Sequence, residues 1–333
     1  DAASAQLDLR KRLAGKRVLL TGAGTSAYAA SAVAVAGPNC ISVPTTDLLI
    51  DTERHLAGVD AVISLARSGG SPESAAVVER VRAVRPDTLQ LAITCNPQSP
   101  LTRSALDGII FLDPRTNDRS LVMTSSFSNL VLAGQGLFQR EAVGAAVDDC
   151  GARARSLLPA IDQACRAIAG QVRDRIVMLS SSPLQAWGQE AGLKSLEMVA
   201  GAFPVVTETF LGLRHGPMSF VRGDTLVLAL LSSDPLRRLY EQDLLRELRA
   251  KKIGYLVGIT DIDKPDELFD AVIPAMAPGL PDELRTPFEI VAAQLFGYHL
   301  ALSRGIDPDN PSPGGVINRV VRGVTIHPAR QTR

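Results

Sequence analysis

Short apolar runs bounded by polar residues alternate with longer stretches of helical pattern along the chain. In the first half, these runs predict buried strands at residues 17–20, 41–43, 61–66, 89–94 and 109–112. The stretches between them predict helices at 27–36, 72–84, near 100–106 and from about 125 to 143. Strands that alternate with helices predict an α/β fold, in which a parallel sheet is covered by helices on both faces.

The pattern restarts in the second half. Apolar runs at 175–179, 224–231 and 255–260 repeat the order of the runs at 17–20, 61–66 and 89–94, with an offset of about 160 residues. The repeat predicts two similar α/β domains, each a flavodoxin-like three-layer sandwich. We expect the first domain at 1–150 and the second at 151–305, with their junction near 148–165 and a long apolar helix at 287–304. The remainder, 306–333, is rich in proline and glycine and predicts a tail with one short strand at 324–326.

Composition narrows the class of protein. The chain has 333 residues and equal numbers of basic and acidic residues, 35 each, without a basic run, so it has no nucleic-acid-binding pattern. No apolar run approaches the roughly 20 residues that span a bilayer, so we expect no membrane association. The four cysteines lack C-x-x-C spacing, which predicts free thiols and a cytoplasmic protein. Because the chain begins at Asp1 rather than at methionine, we expect an N-terminal segment to precede it.

The loop at 68–71, Ser-Gly-Gly-Ser, is the first candidate for chemistry. It follows a predicted buried strand, and Pro72 suits the first position of the next helix. Glycines let backbone N–H groups turn inward, and a helix N-terminus attracts anions. The loop therefore predicts a site for a phosphomonoester, although an ordinary strand-to-helix turn explains it equally well. The corresponding loop of the second domain lacks the glycines, which assigns the site to the first domain.

A second glycine loop precedes the helix at 27–36. Gly22 and Gly24 are close to the dinucleotide-binding fingerprint, and Asp47 lies near the place of a ribose-binding acid. Thr25 and Ser26, however, place hydroxyls at the helix N-terminus, which suits a sugar phosphate better than NAD. We therefore expect no cofactor.

Two features of the second half are candidates for proton transfer. Lys194 and Glu197 are three residues apart in a predicted helix, which is typical of a solvated ion pair but also of a carboxylate base beside a cation. His215 is flanked by Gly212, Gly216 and Pro217 in a loop, where a catalytic role and a structural one are equally plausible. No histidine pair has the spacing of zinc ligands, so we expect no metal.

Together these motifs resemble the two-domain form of the SIS (sugar isomerase) family, which includes the isomerase half of glucosamine-6-phosphate synthase. Still closer is the resemblance to the AgaS group of galactosamine-6-phosphate deaminases and tagatose-6-phosphate ketose/aldose isomerases. It covers nearly the whole chain and is carried by residues 21–26, 66–74, 93–96, 123–128, 193–197, 214–217, 307–313 and 318–321.

The resemblance implies roles for individual residues. Glu197 would be the base that moves a proton between C2 and C1, and His215, supplied by the partner subunit of a homodimer or homotetramer, would assist ring opening. The remaining residues would bind the sugar or its 6-phosphate, and they are Thr25, Ser26, Arg67, Ser68, Ser71, Ser125, Lys194 and Arg322. Arg322 stands where the synthase carries a lysine that forms a Schiff base. Arginine stays protonated, so a lysine-imine route is not expected from this tail.

The implied reaction converts an amino-hexose 6-phosphate, with galactosamine 6-phosphate favoured, to a ketose 6-phosphate and ammonia, without metal or organic cofactor. Three alternatives stay open at this point. They are ketose/aldose isomerisation without deamination, deamination of glucosamine 6-phosphate, and a regulator that binds a sugar phosphate without catalysis.

Overall fold

The computed structural model describes residues 2–262, 265–321 and 323–328. Contacts divide the chain into two compact units. The first contains residues 1–143 and 314–333, and the second contains residues 144–313. The division falls at 143/144 rather than in 148–165, and the tail groups with the first unit from residue 314 onward.

Ten strands are present in the described part of the chain. They are β1 (Val18–Thr21), β2 (Cys40–Ser42), β3 (Ala61–Ala66), β4 (Leu89–Thr94), β5 (Gly108–Phe111), β6 (Ile176–Leu179), β7 (Val205–Glu208), β8 (Leu226–Leu230), β9 (Tyr255–Thr260) and β10 (Ala271–Pro274).

The α-helices are α1 (Ala2–Leu13), α2 (Thr25–Ala34), α3 (Thr45–Ile50), α4 (Thr52–His55), α5 (Pro72–Val84), α6 (Ser125–Phe138), α7 (Arg140–Ala169), α8 (Gln185–Glu197), α9 (Phe210–Leu213), α10 (Pro235–Lys251) and α11 (Asp282–Ser303).

Each unit is built on a five-stranded parallel sheet. The strand order is β2-β1-β3-β4-β5 in the first and β10-β9-β8-β6-β7 in the second. Read from the opposite edge, the second order is β7-β6-β8-β9-β10, so the two sheets have the same topology. This is the flavodoxin-like order, so the predicted fold class and the internal repeat are confirmed. The central strands are buried along their whole length, β3 and β8 being examples.

Several predicted elements differ from the structure. Strands β7 and β10 are edge strands with half-buried residues, and the apolar pattern missed both because one face of each is less covered. The helix expected near 100–106 is a single 3-10 turn, Leu101–Arg103. The strand expected at 324–326 is wrong, since the described residues there have no regular structure. Residues 148–165 lie inside α7.

The sheet topology determines where a ligand can bind in the first unit. Strands β1 and β3 are neighbours, with Thr21 opposite Ser64, but the chain leaves them toward opposite sides of the sheet. In doubly wound sheets, ligands bind at the carboxyl ends of such a strand pair. The loops at 22–24 and 67–71 both lie at this edge, ahead of α2 and α5.

Candidate functional site

The loop at 68–71 has a fixed shape. Gly69 has φ +56°, and a Cβ there would lie 2.5 Å from Ser99 Oγ, so only glycine fits. The side-chain amide of Asn96 donates to the Ser68 carbonyl (2.9 Å), and the backbone N–H of Leu101 donates to the Gly69 carbonyl (3.2 Å). The carbonyls are thereby held outward by neighbours, which leaves the hydroxyl side of the loop for a ligand.

The hydroxyls of this loop contact the loop backbone and the first turn of α5. Ser68 Oγ accepts from the backbone N–H of Gly70 at 3.2 Å, and Ser71 Oγ and Ser74 Oγ are 2.8 Å apart. Ser71 is the N-cap of α5, but its side chain makes no capping hydrogen bond. Among the described residues, no carboxylate accepts a hydrogen bond from the loop, and the buried Oε2 of nearby Glu73 has no partner.

The N-terminus of α2 lies at the same edge of the sheet. Thr25 and Ser26 are buried in its first turn, and Ser26 Oγ is 4.0 Å from the sulfur of Met123. A Cβ at Gly22 would lie 2.3 Å from the backbone carbonyl oxygen of Ser26, so glycine is required for the tight turn into the helix. The first turn of α2 thus places a buried hydroxyl beside the loop at 68–71.

A cavity of about 110 Å³ lies between these two helix N-termini. About 10–15 Å³ of such volume suffices for one water, so the cavity has room for several waters or for a small polar group. Ser26, Ser68, Gly69 and Ser71 line one side, and the tail residues 319–321 line another. The cavity combines hydroxyls, helix N-termini and arginine, which are groups that bind phosphate.

Arg67 lines this cavity, and its two terminal nitrogens donate to backbone carbonyls. Its guanidinium donates to the carbonyls of Ser120 and Leu121 (both 3.0 Å) and of Arg319 (2.7 Å). The side chain is buried, with 5% of the residue exposed. Arg67 thus connects the cavity wall to two other segments of the chain.

Ser125 lies at the N-terminus of α6, where an internal carboxylate already occupies the backbone donors. Asp118 accepts from the N–H groups of Thr124, Ser125 and Ser126 at 2.9–3.1 Å and from the hydroxyls of Thr124 and Ser126. Burial alone would raise the pKa of Asp118, but these hydrogen bonds outweigh it and lower the pKa. Sequence reasoning missed Asp118, because its role depends on a helix that begins seven residues later.

In the second unit, Lys194 is buried between two carboxylates of α8. Its Nζ lies 2.7 Å from Glu197 Oε2 and 3.2 Å from Glu190 Oε1. Lys194 and Glu190 are fully buried, whereas the side chain of Glu197 is 22% exposed. Burial alone would lower the pKa of Lys194, but the two carboxylates raise it, so the ammonium stays charged. This is not the solvated ion pair that spacing alone favoured, and Glu190 was not foreseen.

His215 lies in an exposed turn after α9, where its backbone N–H donates to the Gly212 carbonyl at 2.9 Å. Gly216, with φ +125°, follows it and precedes the 3-10 turn Pro217–Phe220. An exposed ring is not a core histidine, which leaves it available to a ligand or a second chain. Arg322, the remaining predicted site residue, lies outside the described residues.

The loop after β8 corresponds to the loop after β3, but internal carboxylates fill it. The backbone N–H of Ser232 donates to Glu241 Oε2 (2.8 Å), and that of Ser233 donates to Asp282 Oδ1 (2.8 Å). Asp282 also accepts from the Ser232 hydroxyl and pairs with buried Arg285 at 3.0 Å. The anion positions of the second loop are therefore already taken by the protein itself.

The described residues also bear on membrane and metal binding. None of the helices there is long and apolar enough to cross a membrane. In the same part of the chain, no three histidine, cysteine, aspartate or glutamate side chains are grouped as a metal site would require.

Comparison with known proteins shows which family the chain resembles. No protein-family model matches the chain. It is 36% identical to the D-galactosamine-6-phosphate deaminase AgaS of Shewanella sp. (strain ANA-3) over 327 residues, covering 94% of this chain and 82% of that protein. Identity to the D-galactosamine-6-phosphate deaminase AgaS of Escherichia coli is 34% over 328 residues, 94% of this chain and 85% of that one. The crystal structure of tagatose-6-phosphate ketose/aldose isomerase from Escherichia coli superposes with a TM-score of 0.86 at 32% identity, over 98% of this chain and 90% of that one.

Proposed function

Because the chain belongs to the AgaS family of D-galactosamine-6-phosphate deaminases, we propose that it converts galactosamine 6-phosphate and water to tagatose 6-phosphate and ammonia. The observation that carries the proposal is the environment of Glu197, a partly exposed carboxylate held 2.7 Å from a buried, charged lysine. A carboxylate in a fixed orientation is suited to moving a proton between adjacent carbons.

The reaction follows from proton transfers. The sugar ring opens to the free aldehyde, and Glu197 removes the proton at C2, which gives an enolamine. Return of the proton to C1 gives a ketimine at C2, because the substrate's own nitrogen is already attached there. Water adds to the ketimine carbon, the C–N bond breaks, and ammonia leaves with the ketose 6-phosphate. The substrate nitrogen supplies the imine, so the chain needs no lysine for this purpose.

The charges of α8 support this role for Glu197. When Glu197 takes up the C2 proton it becomes neutral, and its attraction to Lys194 is lost. Glu190, 3.2 Å from the same ammonium, still balances that charge. A buried cation without a counter-ion is costly, so a second carboxylate lets Glu197 change charge while the site stays intact.

At the other end of the substrate, we propose that the loop at 68–71 and Ser26 bind the 6-phosphate. Hydroxyls, helix N-termini and the 110 Å³ cavity support this assignment. Thr25 and Ser125 are the first residues of α2 and α6, and Arg322 follows in sequence the tail residues that line the cavity, so their roles as sugar or phosphate ligands remain part of the proposal. We assign Lys194 to holding Glu197 rather than to binding sugar.

We propose further that the enzyme is a cytoplasmic homo-oligomer in which His215 of a second subunit assists ring opening. The exposed turn that carries His215 supports this arrangement. Three of the four cysteines are buried, all four are free, and burial raises the pKa of Cys165 to about 12, as suits thiols that stay reduced.

Glu197→Gln tests the function. It keeps the size of the side chain and its hydrogen bond to Lys194 but cannot accept the C2 proton. Ammonia release from galactosamine 6-phosphate should fall by about 10²–10⁴-fold, the usual range for loss of a general base, while the sugar phosphate still binds. Ammonia release at the wild-type rate in this variant would overturn the assignment.

A second candidate is isomerisation of a ketose 6-phosphate without deamination. It is favoured by the likeness to the tagatose-6-phosphate ketose/aldose isomerase structure. The same base and the same proton transfer serve both reactions. Conversion of tagatose 6-phosphate to an aldose 6-phosphate, with no ammonia from galactosamine 6-phosphate or glucosamine 6-phosphate, would establish this candidate instead.

A further inference from the structure

Arg67 connects three segments of the first unit that are far apart in sequence. Its Nη1 donates to the carbonyls of Ser120 and Leu121, which are 53 and 54 residues away. Its Nη2 donates to the carbonyl of Arg319, which is 252 residues away. A planar guanidinium donates from two separated terminal nitrogens in a rigid fork, whereas lysine has a single compact ammonium on a flexible stem.

The segment held by Arg67 covers the loop at 68–71. Residues 319–321 line the phosphate cavity, and Val320 Cγ1 would lie 3.3 Å from a Cβ built on Gly70. We call this segment the roof. The roof has no regular secondary structure of its own, so side-chain hydrogen bonds must determine where it lies.

A second set of contacts holds the roof from outside. The exposed side chain of Arg319 donates from Nη2 to Asn117 Oδ1 (2.6 Å) and to the Asp118 carbonyl (2.7 Å). Nε of Arg319 donates to the same carbonyl at 3.1 Å. The carboxylate of Asp118 is the group that accepts from the first turn of α6, so the roof is tied to that helix as well as to the end of β3.

We propose that Arg67 is a positioning residue that holds residues 319–321 as the roof of the phosphate cavity, and that it does not itself bind the phosphate. The inference rests on the proposed function, because a roof matters to activity only if the cavity receives the 6-phosphate. Its consequence is that the far end of the chain forms part of the phosphate site of the first unit. Arg67 is required as arginine because of its shape and not only because of its charge.

The test is Arg67→Lys, which keeps the positive charge and loses the planar, forked set of donors of the guanidinium. Amide hydrogen exchange of residues 314–328 in the free protein should become at least about 10-fold faster, as expected for the loss of one or two charged hydrogen bonds. KM for galactosamine 6-phosphate should rise by about the same factor, with kcat within about twofold of wild type. Unchanged exchange of the tail would overturn the proposal, because a residue that only binds phosphate would not alter the free protein.

Two further variants complete the experiment. Arg319→Ala removes the outer contacts and keeps the carbonyl that Arg67 binds, so tail exchange should also accelerate, and most of all in the double variant. Arg54→Ala is the matched control, since the side chain of Arg54 is 81% exposed and lies 3.9 Å from the carboxylate of Asp51. It should change neither exchange nor KM. If Arg67→Lys does not fold, Arg67→Gln, which also lacks the guanidinium, takes its place, and unchanged tail exchange in that variant overturns the proposal.

The readouts separate this inference from the proposed function. Exchange is measured without sugar, so it does not depend on deamination. Faster tail exchange in the Arg67 variant, together with no ammonia release by the wild type from any hexosamine 6-phosphate, would support the role of Arg67 and overturn the proposed function. Normal ammonia release by the wild type, together with unchanged tail exchange in every variant, would support the proposed function and overturn the role of Arg67.

Discussion

The loops after β3 and β8 hold equivalent places in two sheets of the same topology, but their donors are satisfied in opposite ways. After β8, Glu241 and Asp282 accept from the backbone N–H groups of Ser232 and Ser233. After β3, no carboxylate among the described residues accepts from the loop at 68–71, and a cavity lies over it. The fold supplies an anion position in both units, and the internal carboxylates decide which of them is open to a ligand.

The N-caps of the following helices show the same contrast. Asp234 precedes Pro235 and accepts from the backbone N–H of Arg237 at 2.9 Å, so α10 is capped by a negative charge. Ser71 precedes Pro72 in the equivalent place, and its hydroxyl points to Ser74 instead of capping α5. One substitution should therefore convert one kind of loop into the other.

The largest expected effect comes from removing a carboxylate from the loop after β8, which we call the closed loop because Glu241 and Asp282 occupy its donors. Asp282→Asn removes the carboxylate that pairs with buried Arg285 and accepts from Ser232 and Ser233. Glu289 still pairs with Arg285 at 3.1 Å, but an amide cannot replace the charged hydrogen bonds of the buried carboxylate, so the free energy of unfolding should fall by about 3 kcal/mol in urea titration. Asp243→Asn, which alters an exposed pair with Arg246, is the control and should change it by less than about 1 kcal/mol. Equal effects of the two variants would show that the second loop does not depend on its carboxylates.

The next effect comes from adding a carboxylate to the loop at 68–71, which we call the open loop because no internal carboxylate among the described residues occupies its donors. Ser71→Asp places a carboxylate at the N-cap of α5, where aspartate is favoured, so the thermal midpoint should be preserved or raised. The same charge repels a phosphate dianion within about 4 Å, and KM for galactosamine 6-phosphate should rise at least about 100-fold.

Asp234→Ser is the reciprocal change in the second unit. Serine can also cap a helix, so only the attraction of the charge to the helix N-terminus is lost, and the change should cost less than about 1 kcal/mol of stability and leave KM unaltered. A KM that responds to Asp234→Ser but not to Ser71→Asp would reverse the assignment of the two loops.

A smaller effect is expected at α6, whose N-terminus is closed by Asp118. Asp118→Asn should lower the free energy of unfolding by about 2 kcal/mol at pH 7, because charged hydrogen bonds are replaced by weaker ones. The pKa of Asp118 is lowered in the folded protein from its ordinary 3.8, so this stabilisation is complete above that value and is lost as the pH falls through the folded pKa. Unfolding curves of the two proteins should therefore converge in strong acid, and a difference that persisted there would rule out the carboxylate as its source.

The open loop could be predicted from the sequence because its determinants are local. A buried strand, the run Ser68-Gly69-Gly70-Ser71 and Pro72 are adjacent in the chain, and they suffice for the turn and the helix. The repeat of strand patterns likewise predicted two sheets of the same kind. The edge strands β7 and β10 were not predicted, because half-buried strands carry a weak apolar signal.

The residues that complete or close each site could not be predicted in this way. Asp282 meets Ser232 across 50 residues, and Arg67 meets the carbonyl of Arg319 across 252. Such distant pairs leave no periodic pattern in the sequence. An arginine beside a serine-rich loop is therefore interpreted as a phosphate ligand rather than as a residue that positions another segment. Glu190 was missed because its role depends on the depth to which Lys194 is buried.

The most direct test of the open loop is calorimetric binding of galactosamine 6-phosphate to two proteins that do not turn it over, Glu197→Gln and Glu197→Gln with Ser71→Asp. We predict saturable binding to the first, no measurable binding to the second, and no binding of unphosphorylated galactosamine to either. Equal affinity of both proteins for the sugar phosphate would show that the loop at 68–71 does not hold the phosphate.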